Sequence, residues 1–506
     1  MSGPPSTASS PSSMDRSTAG DEVGRIYGDV GVGEFKLALT RPLERGEYLT
    51  VKDDRGKRVL CQLTQLERKS DFGAERARDA VAGLASTEVT DTLYGRAHVI
   101  GYRESGIVEV PQIPFRPASP VFTADERLIG EVLGLHKSDK TAAYIGLLRG
   151  HSLRVELDIN SLVQRHLSVL AKTGAGKSYL VGVLLEEFLR HNVTCVIVDP
   201  HGEYGSLRYR TDRTPKDPER FGVEPAAFRD KITEFSPDTT LNKEAKPLTF
   251  SLKNLDPREL LTFMGFTSVR SYVAPLKNLM ELAAQANPDF SLKDLVRLAH
   301  AQSESEGNVA YEALAERLEY LDETKLLAPV GTSLHEIVVG GKMTILNLRG
   351  VAPDIQEIVV TRVLSSFFEQ RKRNKIPPLF LVVEEAHNYC PQQGQAISSR
   401  ILKTIASEGR KFGLGMCIVS QRPARVDKNV LSQCATQLIL QVTNPLDVKA
   451  IAQSVEGLTE GMTEMIQSLP IGTCLVSGGG FHSPLFCEVR PRSTRHGGES
   501  VNVIPV

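Results

Sequence analysis

The residues Ala171-Lys172-Thr173-Gly174-Ala175-Gly176-Lys177-Ser178 combine glycines, a lysine and a hydroxyl at the spacing a bound triphosphate requires. Successive backbone N–H groups of such a loop can wrap a β-phosphate, and the N-terminus of a following helix adds a favourable dipole. Lys177 would reach the β and γ phosphates of ATP, and the Ser178 hydroxyl would ligate Mg2+. The nucleotide-binding stretch is expected to be Lys172, Thr173, Gly174, Ala175, Gly176, Lys177, Ser178 and Tyr179. Ala171 stands where the strict pattern has glycine, which is tolerable if Gly174 and Gly176 make the close backbone approach.

Such a loop needs an acidic partner, and the run Leu379-Phe380-Leu381-Val382-Val383-Glu384-Glu385-Ala386-His387 supplies two adjacent carboxylates where an apolar strand ends. Glu384 would hold Mg2+ through its water shell, and Glu385 would polarise the water that attacks the γ-phosphate. Asp199, opening Asp199-Pro200-His201-Gly202-Glu203-Tyr204, either orients that water or a metal ligand, or simply opens a turn. His201 and His387 have no second His or Cys at a zinc-motif spacing, so a zinc site is not expected. Gln421, in Ser420-Gln421-Arg422-Pro423, could hydrogen-bond the γ-phosphate or its water. Arg410, in Glu408-Gly409-Arg410-Lys411-Phe412-Gly413, has the permanently charged fork that stabilises a transferred phosphoryl group, although a surface arginine at a helix end is the commoner case.

These residues depend on the elements that place them. The loop follows a predicted strand over 166–171 and opens a helix over 177–191, with a further strand over 194–199; this βαβ unit implies a parallel sheet. Between Asp256 and about Ile337 helical spacing takes over, as in Leu276, Leu279, Met280 and Ala283, and a helical subdomain inserted between sheet strands is expected. The sheet resumes over 343–348, and Asp354 with Glu357 gives a capping signature for the next helix. Further strands are expected at 379–383, 416–420, 437–442, 473–477 and 485–489. Ahead of all this, from Gly24 to Pro120, short alternating runs read as a small β-barrel or sandwich, ending in a linker near 117–120. Gly31 and Gly33 there read as turn glycines, because the third glycine and following helix of a nucleotide fingerprint are missing.

Composition sets outer bounds. The 506 residues are 41% hydrophobic and 24% charged, as in globular domains, and 60 Lys and Arg against 61 Asp and Glu leave no bulk basic field. Nucleic-acid or membrane binding would have to be local, and no apolar run approaches the length of a membrane span. Seven scattered cysteines without a CxxC pair read as buried reduced thiols. The first twenty residues lack the apolar core of a secretory signal, so a disordered tail and a cytoplasmic location are expected.

The motifs AKTGAGKS, DPHGEY, VVEEAH, SEGRKFG and SQRP, in that order after a β-rich segment, resemble the HerA family of archaeal DNA translocases from about Gly24 to the end. The resemblance implies an α/β fold: a RecA-like P-loop ATPase core of the HerA and FtsK kind with a parallel-rich sheet, an N-terminal HAS-type β-barrel and an inserted helical bundle. On it, 1–22 is a tail, 23–135 the barrel, 136–254 the first part of the core, 255–338 the insertion and 339–506 the second part. It further implies a homo-hexameric ring acting on double-stranded DNA, with a NurA-type nuclease docked at the barrel end and a role in end resection beside other double-strand-break repair nucleases. Lys177 and Ser178 would bind ATP and Mg2+, Glu384 and Glu385 would be the paired acids, and Gln421 the sensor. Arg410 would be offered in trans by the neighbouring subunit, and Arg165 resembles an arginine that reaches the phosphates. Glu384 stands where many relatives carry Asp, so altered metal geometry is expected rather than lost activity.

DNA phosphates would be held by Lys and Arg on pore loops. The candidates are Arg208, Arg210, Arg213 and Lys216, and the loop Gln392 to Arg400; either group could equally be solvated surface. Arg371 to Lys375 reads as a helix terminus. Two other functions fit the core: a secretion or conjugation pump, which predicts a membrane anchor, and a nucleotide-gated clamp without hydrolysis, against which Glu385 argues.

Overall fold

The computed structural model describes residues 20–498 except 85, 136–139, 213–216, 267–268 and 329. The expected N-terminal tail lies outside the described residues up to its last three. Six strands, Glu34–Leu39, Glu22–Tyr27, Pro120–Thr123, Tyr48–Lys52, Arg58–Ser70 and Asp91–Glu104, pair in that order, and the last returns to the first to close a barrel. Alternating Phe35, Leu37, Leu49, Val51, Val59, Cys61 and Val99 fill it, the side-chain periodicity of strands that face one core. The segment expected as a linker near 117–120 runs into Pro120–Thr123, which is the strand that seals the barrel between Glu22–Tyr27 and Tyr48–Lys52. Its start at a proline costs no ladder bond at a strand's first position.

A short helix, Glu126–Leu133, leads into a large sheet whose central strands are all parallel. Inward from the two-residue edge strand Lys246–Pro247 the order is Ile232–Ser236, Met343–Asn347, Cys195–Asp199, Leu379–Val383, Leu414–Ser420, Leu167–Leu170 and Thr436–Ile439. The antiparallel strands Thr473–Ser477, Leu485–Val489, Ala142–Leu148 and Arg154–Asp158 extend it. Successive residues of the central strands face opposite sides. Val196, Val198, Leu381, Val383 and Ile418 enter one core with the helix Pro353–Lys372 and the insertion helices Val273–Ala286, Leu292–Glu306 and Val309–Glu323. Cys195, Ile197, Phe380, Val382 and Val419 enter the other with the helix Lys177–Arg190 and the barrel residues Tyr48 and Leu60. Both faces are covered, which is why these strands read as unbroken apolar runs. All seven cysteines are buried free thiols.

The helix after Asn347 differs from its expected start. Pro353 occupies its first turn and Ala352 its cap, where a missing N–H costs nothing. Asp354 instead accepts a hydrogen bond from the Tyr320 hydroxyl at 3.0 Å, so the apparent capping pair serves tertiary contacts. Arg371 closes the other end by donating to the carbonyls of Phe412 and Ile376, the helix-terminus role expected for it.

The chain then folds back on itself. Segment 490–498 lies along the helix Lys177–Arg190, and Arg490, wholly buried, meets Glu186 and Glu187 at 2.8 Å each. Glu186 also accepts from the backbone N–H groups of Ser493 and Thr494 and the Thr494 hydroxyl. Burial works against its charge, but these donors and the guanidinium of Arg490 outweigh it and hold the carboxyl below its ordinary range. Gly182 lets the guanidinium of Arg492 lie against the helix there; a methyl would sit 2.5 Å from it and the arginine would have to move. Arg490→Ala leaves two buried carboxylates without their shared counter-ion, and a loss of about 3–5 kcal/mol in unfolding free energy is expected. Denaturant unfolding of the purified variant reads this directly, and a loss below about 1 kcal/mol would make the clamp dispensable.

Candidate active site

The strand Leu167–Leu170 ends between two parallel neighbours, and their backbones fix the start of the loop beyond it. Ala171 donates its N–H to Ser420 O at 3.3 Å and Lys172 to Gln441 O at 2.8 Å. Ala171 is fully buried in the apolar core, which accounts for a methyl where the strict motif has glycine. Gly174 and Gly176 take φ of 77° and 95°, the left-handed region in which glycine is at ease. Gly176 caps the helix Lys177–Arg190 with no side-chain hydrogen bond, so its first-turn N–H groups are left for an anion. A Cβ built at Gly174 would meet nothing within 4 Å, so the loop keeps an open cradle of the kind a phosphate needs.

Lys177 Nζ lies 3.0 Å from Glu384 Oε2 and 2.5 Å from Glu385 Oε1, and all three side chains are nearly buried. Burial disfavours the ammonium, but the two carboxylates outweigh it and hold Lys177 above the ordinary lysine range. One ammonium between two carboxylates leaves a net negative pocket beside a phosphate cradle, a donor set that suits Mg2+ shared with Ser178 and nucleotide oxygens. Glu384 is anchored by the buried Tyr204 hydroxyl, which donates to its Oε1. Glu385 sits at φ 49°, a left-handed conformation that costs a non-glycine residue about 1–3 kcal/mol and turns its side chain back toward Lys177. Its buried Oε2 accepts no hydrogen bond. His387 Nδ1 is 3.3 Å from it but bonds the Ser420 hydroxyl at 3.2 Å, and burial lowers the imidazole pKa, further helped by Lys177, Arg425 and Arg422 against the pull of Glu385. A buried carboxylate oxygen with a free lone pair is what a general base for water requires.

The other expected residues divide. Gln421 belongs to the site, because its Oε1 accepts from the Thr173 hydroxyl in the loop. Asp199 takes the turn role: its oxygens accept the N–H groups of His201, Gly202 and Tyr204 at 3.2, 2.8 and 3.1 Å. Burial, with Glu384 nearby and against those N–H groups, raises its carboxyl to about 6. Arg165 and Arg410 are not brought to this loop. They precede Leu167–Leu170 and Leu414–Ser420, whose carboxyl ends carry the loop and Gln421, so both stand at the opposite, amino edge of the sheet.

Arg208 is a structural residue rather than a DNA contact: it is buried against Glu234 and Glu244 at 2.7 and 3.1 Å. Arg210 is exposed and bridges Thr494, while Arg213 and Lys216 lie outside the described residues. The segment following Tyr389 is pinned to a second one following Gln421, by Gln392 N–H to Arg425 O at 2.7 Å, Lys428 N–H to Gln392 Oε1 at 2.8 Å and Asp427 N–H to Cys390 O at 2.9 Å. Together they expose Arg400, Arg422, Arg425 and Lys428. The last three were missed in the sequence because nothing local signals that the two segments lie side by side. Tyr204 was missed too: its position in DPHGEY gives no sign of the partner 180 residues away. Tyr179, next to Ser178, accepts the N–H of Arg492 at 2.8 Å on its hydroxyl and so ties the loop's helix to the C-terminal segment.

This barrel joined to a P-loop ATPase core with an inserted helical bundle defines the class. The plasmid coupling protein TrwB, solved in complex with ADP and Mg2+, shares the core fold at a TM-score of 0.50 and 16% identity, over 73% of this chain and 93% of that one. The family described as "Helicase HerA, central domain" matches residues 143–367, and the HAS barrel domain matches 23–105. A probable helicase of Methanocaldococcus jannaschii is 28% identical over 95% of this chain and 93% of its own length. The DNA double-strand break repair helicase HerA of Saccharolobus solfataricus is 27% identical over 90% and 89%. The chain is a homologue of the HerA helicases.

Tyr204→Phe removes the hydroxyl that anchors Glu384. Hydrogen bonds to charged groups are worth about 1.5–3 kcal/mol, so a roughly 10-fold or greater rise in the Mg2+ concentration needed for half-maximal turnover is expected. Titrating Mg2+ at saturating ATP measures it, and an unchanged midpoint would remove Glu384 from metal binding.

Proposed function

We propose that this chain is an ATP-driven translocase and helicase on double-stranded DNA, working as a homo-hexamer with a NurA-type nuclease, and beside other break-repair nucleases, in processing broken ends. The observation that carries the reading is Glu385, buried at the carboxyl edge with Oε1 on Lys177 and Oε2 free. A clamp that only senses nucleotide has no use for such a carboxylate. With ATP bound, Lys177 would face its phosphates, Ser178 and Glu384 would hold Mg2+, and Glu385 would take the proton of the attacking water. The names of the relatives, repair helicases, support DNA as the substrate.

Arg165 and Arg410 fit a trans role, because a side chain at the amino edge cannot serve phosphates at the carboxyl edge of its own sheet. Hydrolysis then requires an assembled interface, which couples turnover to motion between subunits. DNA phosphates would meet the exposed Arg400, Arg422, Arg425 and Lys428 on the paired segments, which leave the sheet directly after Glu385 and Gln421.

Steady-state hydrolysis by the full chain should rise on adding linear double-stranded DNA, and Glu385→Gln should keep ATP affinity while turnover is lost; persistent turnover would reassign the base. Mixing Arg410→Ala with Lys177→Ala subunits should restore part of the activity, and no recovery in demonstrably mixed rings would sink the trans geometry. Replacing Arg400, Arg425 and Lys428 with alanine should flatten the salt dependence of duplex binding by about 0.9 in log–log slope for each phosphate contact removed. An unchanged slope would place the DNA elsewhere.

A further inference from the structure

We propose that His166 is a positioning residue, whose buried imidazole holds Arg165 and Arg410 as one unit directed at the neighbouring subunit's nucleotide. The inference rests on the trans reading of the two arginines, and concerns a residue with no contact to the chain's own nucleotide loop.

His166 ends the helix Ile159–Arg165 and directly precedes the strand Leu167–Leu170. Its backbone stands at φ 55° and ψ 155°, a region that is nearly confined to glycine. Glycine is the residue at ease at such an angle. A histidine held there against its conformational preference implies that the ring is needed. That ring is buried, with the residue 3% exposed. Nε2 lies 3.1 Å from Ala406 O, and because a carbonyl only accepts, Nε2 carries the proton. Nδ1 is then a bare lone pair, buried without a donor. Burial foremost, and the positive charge of Arg410, keep the imidazole pKa low against the Ala406 contact, so the ring acts as a neutral strut.

The strut joins the two arginines. Ala406 belongs to the helix Ser399–Glu408, which runs straight into the turn Gly409–Phe412 that carries Arg410. Arg165 is the residue before His166, and its carbonyl accepts the N–H of Ala435 at 3.0 Å. The helix Ile159–Arg165 lies directly on the strand that follows Arg410: a methyl at Gly415 would sit 2.4 Å from Val163 O. Both arginine backbones are thereby fixed to one another through His166 and to the P-loop strand behind it. A displacement of about 1 Å in such a group can cost roughly 10²-fold in rate.

His166→Gly suits the backbone and removes only the ring. In the full-length assembled protein with linear duplex DNA, kcat should fall on the order of 10-fold or more while ATP affinity changes less than about 2-fold. His166→Gln, whose amide can still donate to Ala406 O, should recover part of the loss. Added to the double variant Arg165→Ala with Arg410→Ala, His166→Gly should cause no further loss. A kcat for His166→Gly within about 2-fold of the parent, or a further loss when it is added to that double variant, would overturn the inference. If the glycine variant does not assemble, His166→Ala, which removes the ring without asking more of the backbone than the parent residue does, carries the same expectations. Should Arg165→Ala and Arg410→Ala themselves turn over normally, the trans reading fails; should they be impaired while His166→Gly is not, only the role of His166 fails.

Discussion

Parallel strands gather all their carboxyl ends at one edge of a sheet, and nearly everything functional in this chain derives from that constraint. The phosphate loop, Gln421 and the paired acids leave three adjacent strands, Leu167–Leu170, Leu414–Ser420 and Leu379–Val383, although they are scattered over some two hundred and fifty residues of sequence. The same geometry excludes the amino edge from the chain's own nucleotide. A four-residue strand rises roughly 13 Å, more than an arginine can cross while also passing through a packed sheet. Arginines placed at that edge do not reach the chain's own phosphate loop.

At the carboxyl edge the decisive quantity is charge balance in a buried space. Glu384 and Glu385 could not both be ionised side by side in low dielectric without compensation, and Lys177 supplies it from the loop. Every member of the group is also held from behind: Glu384 by the Tyr204 hydroxyl, Tyr204 by the turn that Asp199 closes, and Glu385 by a strained backbone. A polar network of this kind has few alternative arrangements, because each displacement strands a buried polar atom. The exception in this group is Glu385 Oε2, a buried acceptor left open beside the phosphate cradle, where a substrate's water can complete it.

The fold and most of the site were legible in the sequence because their signals are local. A glycine-rich turn between an apolar strand and a helix, and an apolar run ending in two carboxylates, state both the element and the chemistry within ten residues. The features that escaped depend on distant partners. Pro120–Thr123 looks like a linker until its two barrel neighbours are in place. Asp354 and Glu357 have the spacing of a capping box, but Pro353 already starts the helix and the acids are drawn off by Tyr320 and the 397–398 backbone. Arg208 has the look of an exposed basic residue until Glu234 is brought beside it by a sheet edge. No local pattern distinguishes a buried arginine from a solvated one.

Arg490 is the fullest case of such distance, and it bears on how the two domains are joined. Its guanidinium binds Glu186 and Glu187 on the nucleotide-loop helix and, through Nε, the carbonyl of Tyr144 in the strand Ala142–Leu148. That strand and its partner Leu485–Val489 abut the barrel around a cavity of about 390 Å³ lined by Glu47, Tyr48, Gln62, Leu148, Arg149 and Phe486. Arg45 of the barrel reaches across to the carbonyl of Gly461 and the carboxylate of Glu464 in the core. A contiguous packed route therefore runs from the first turn of the phosphate-binding helix, through Tyr179 and Arg492, along a fully buried ion pair to the strands that carry the barrel. Replacing that ion pair by apolar side chains could give an equally stable core, so stability alone does not explain it. A directional, five-donor clamp fixes the helix in rotation and in register against the sheet, as nonspecific apolar packing does not. The nucleotide loop's helix is thereby tied to the strands that carry the barrel.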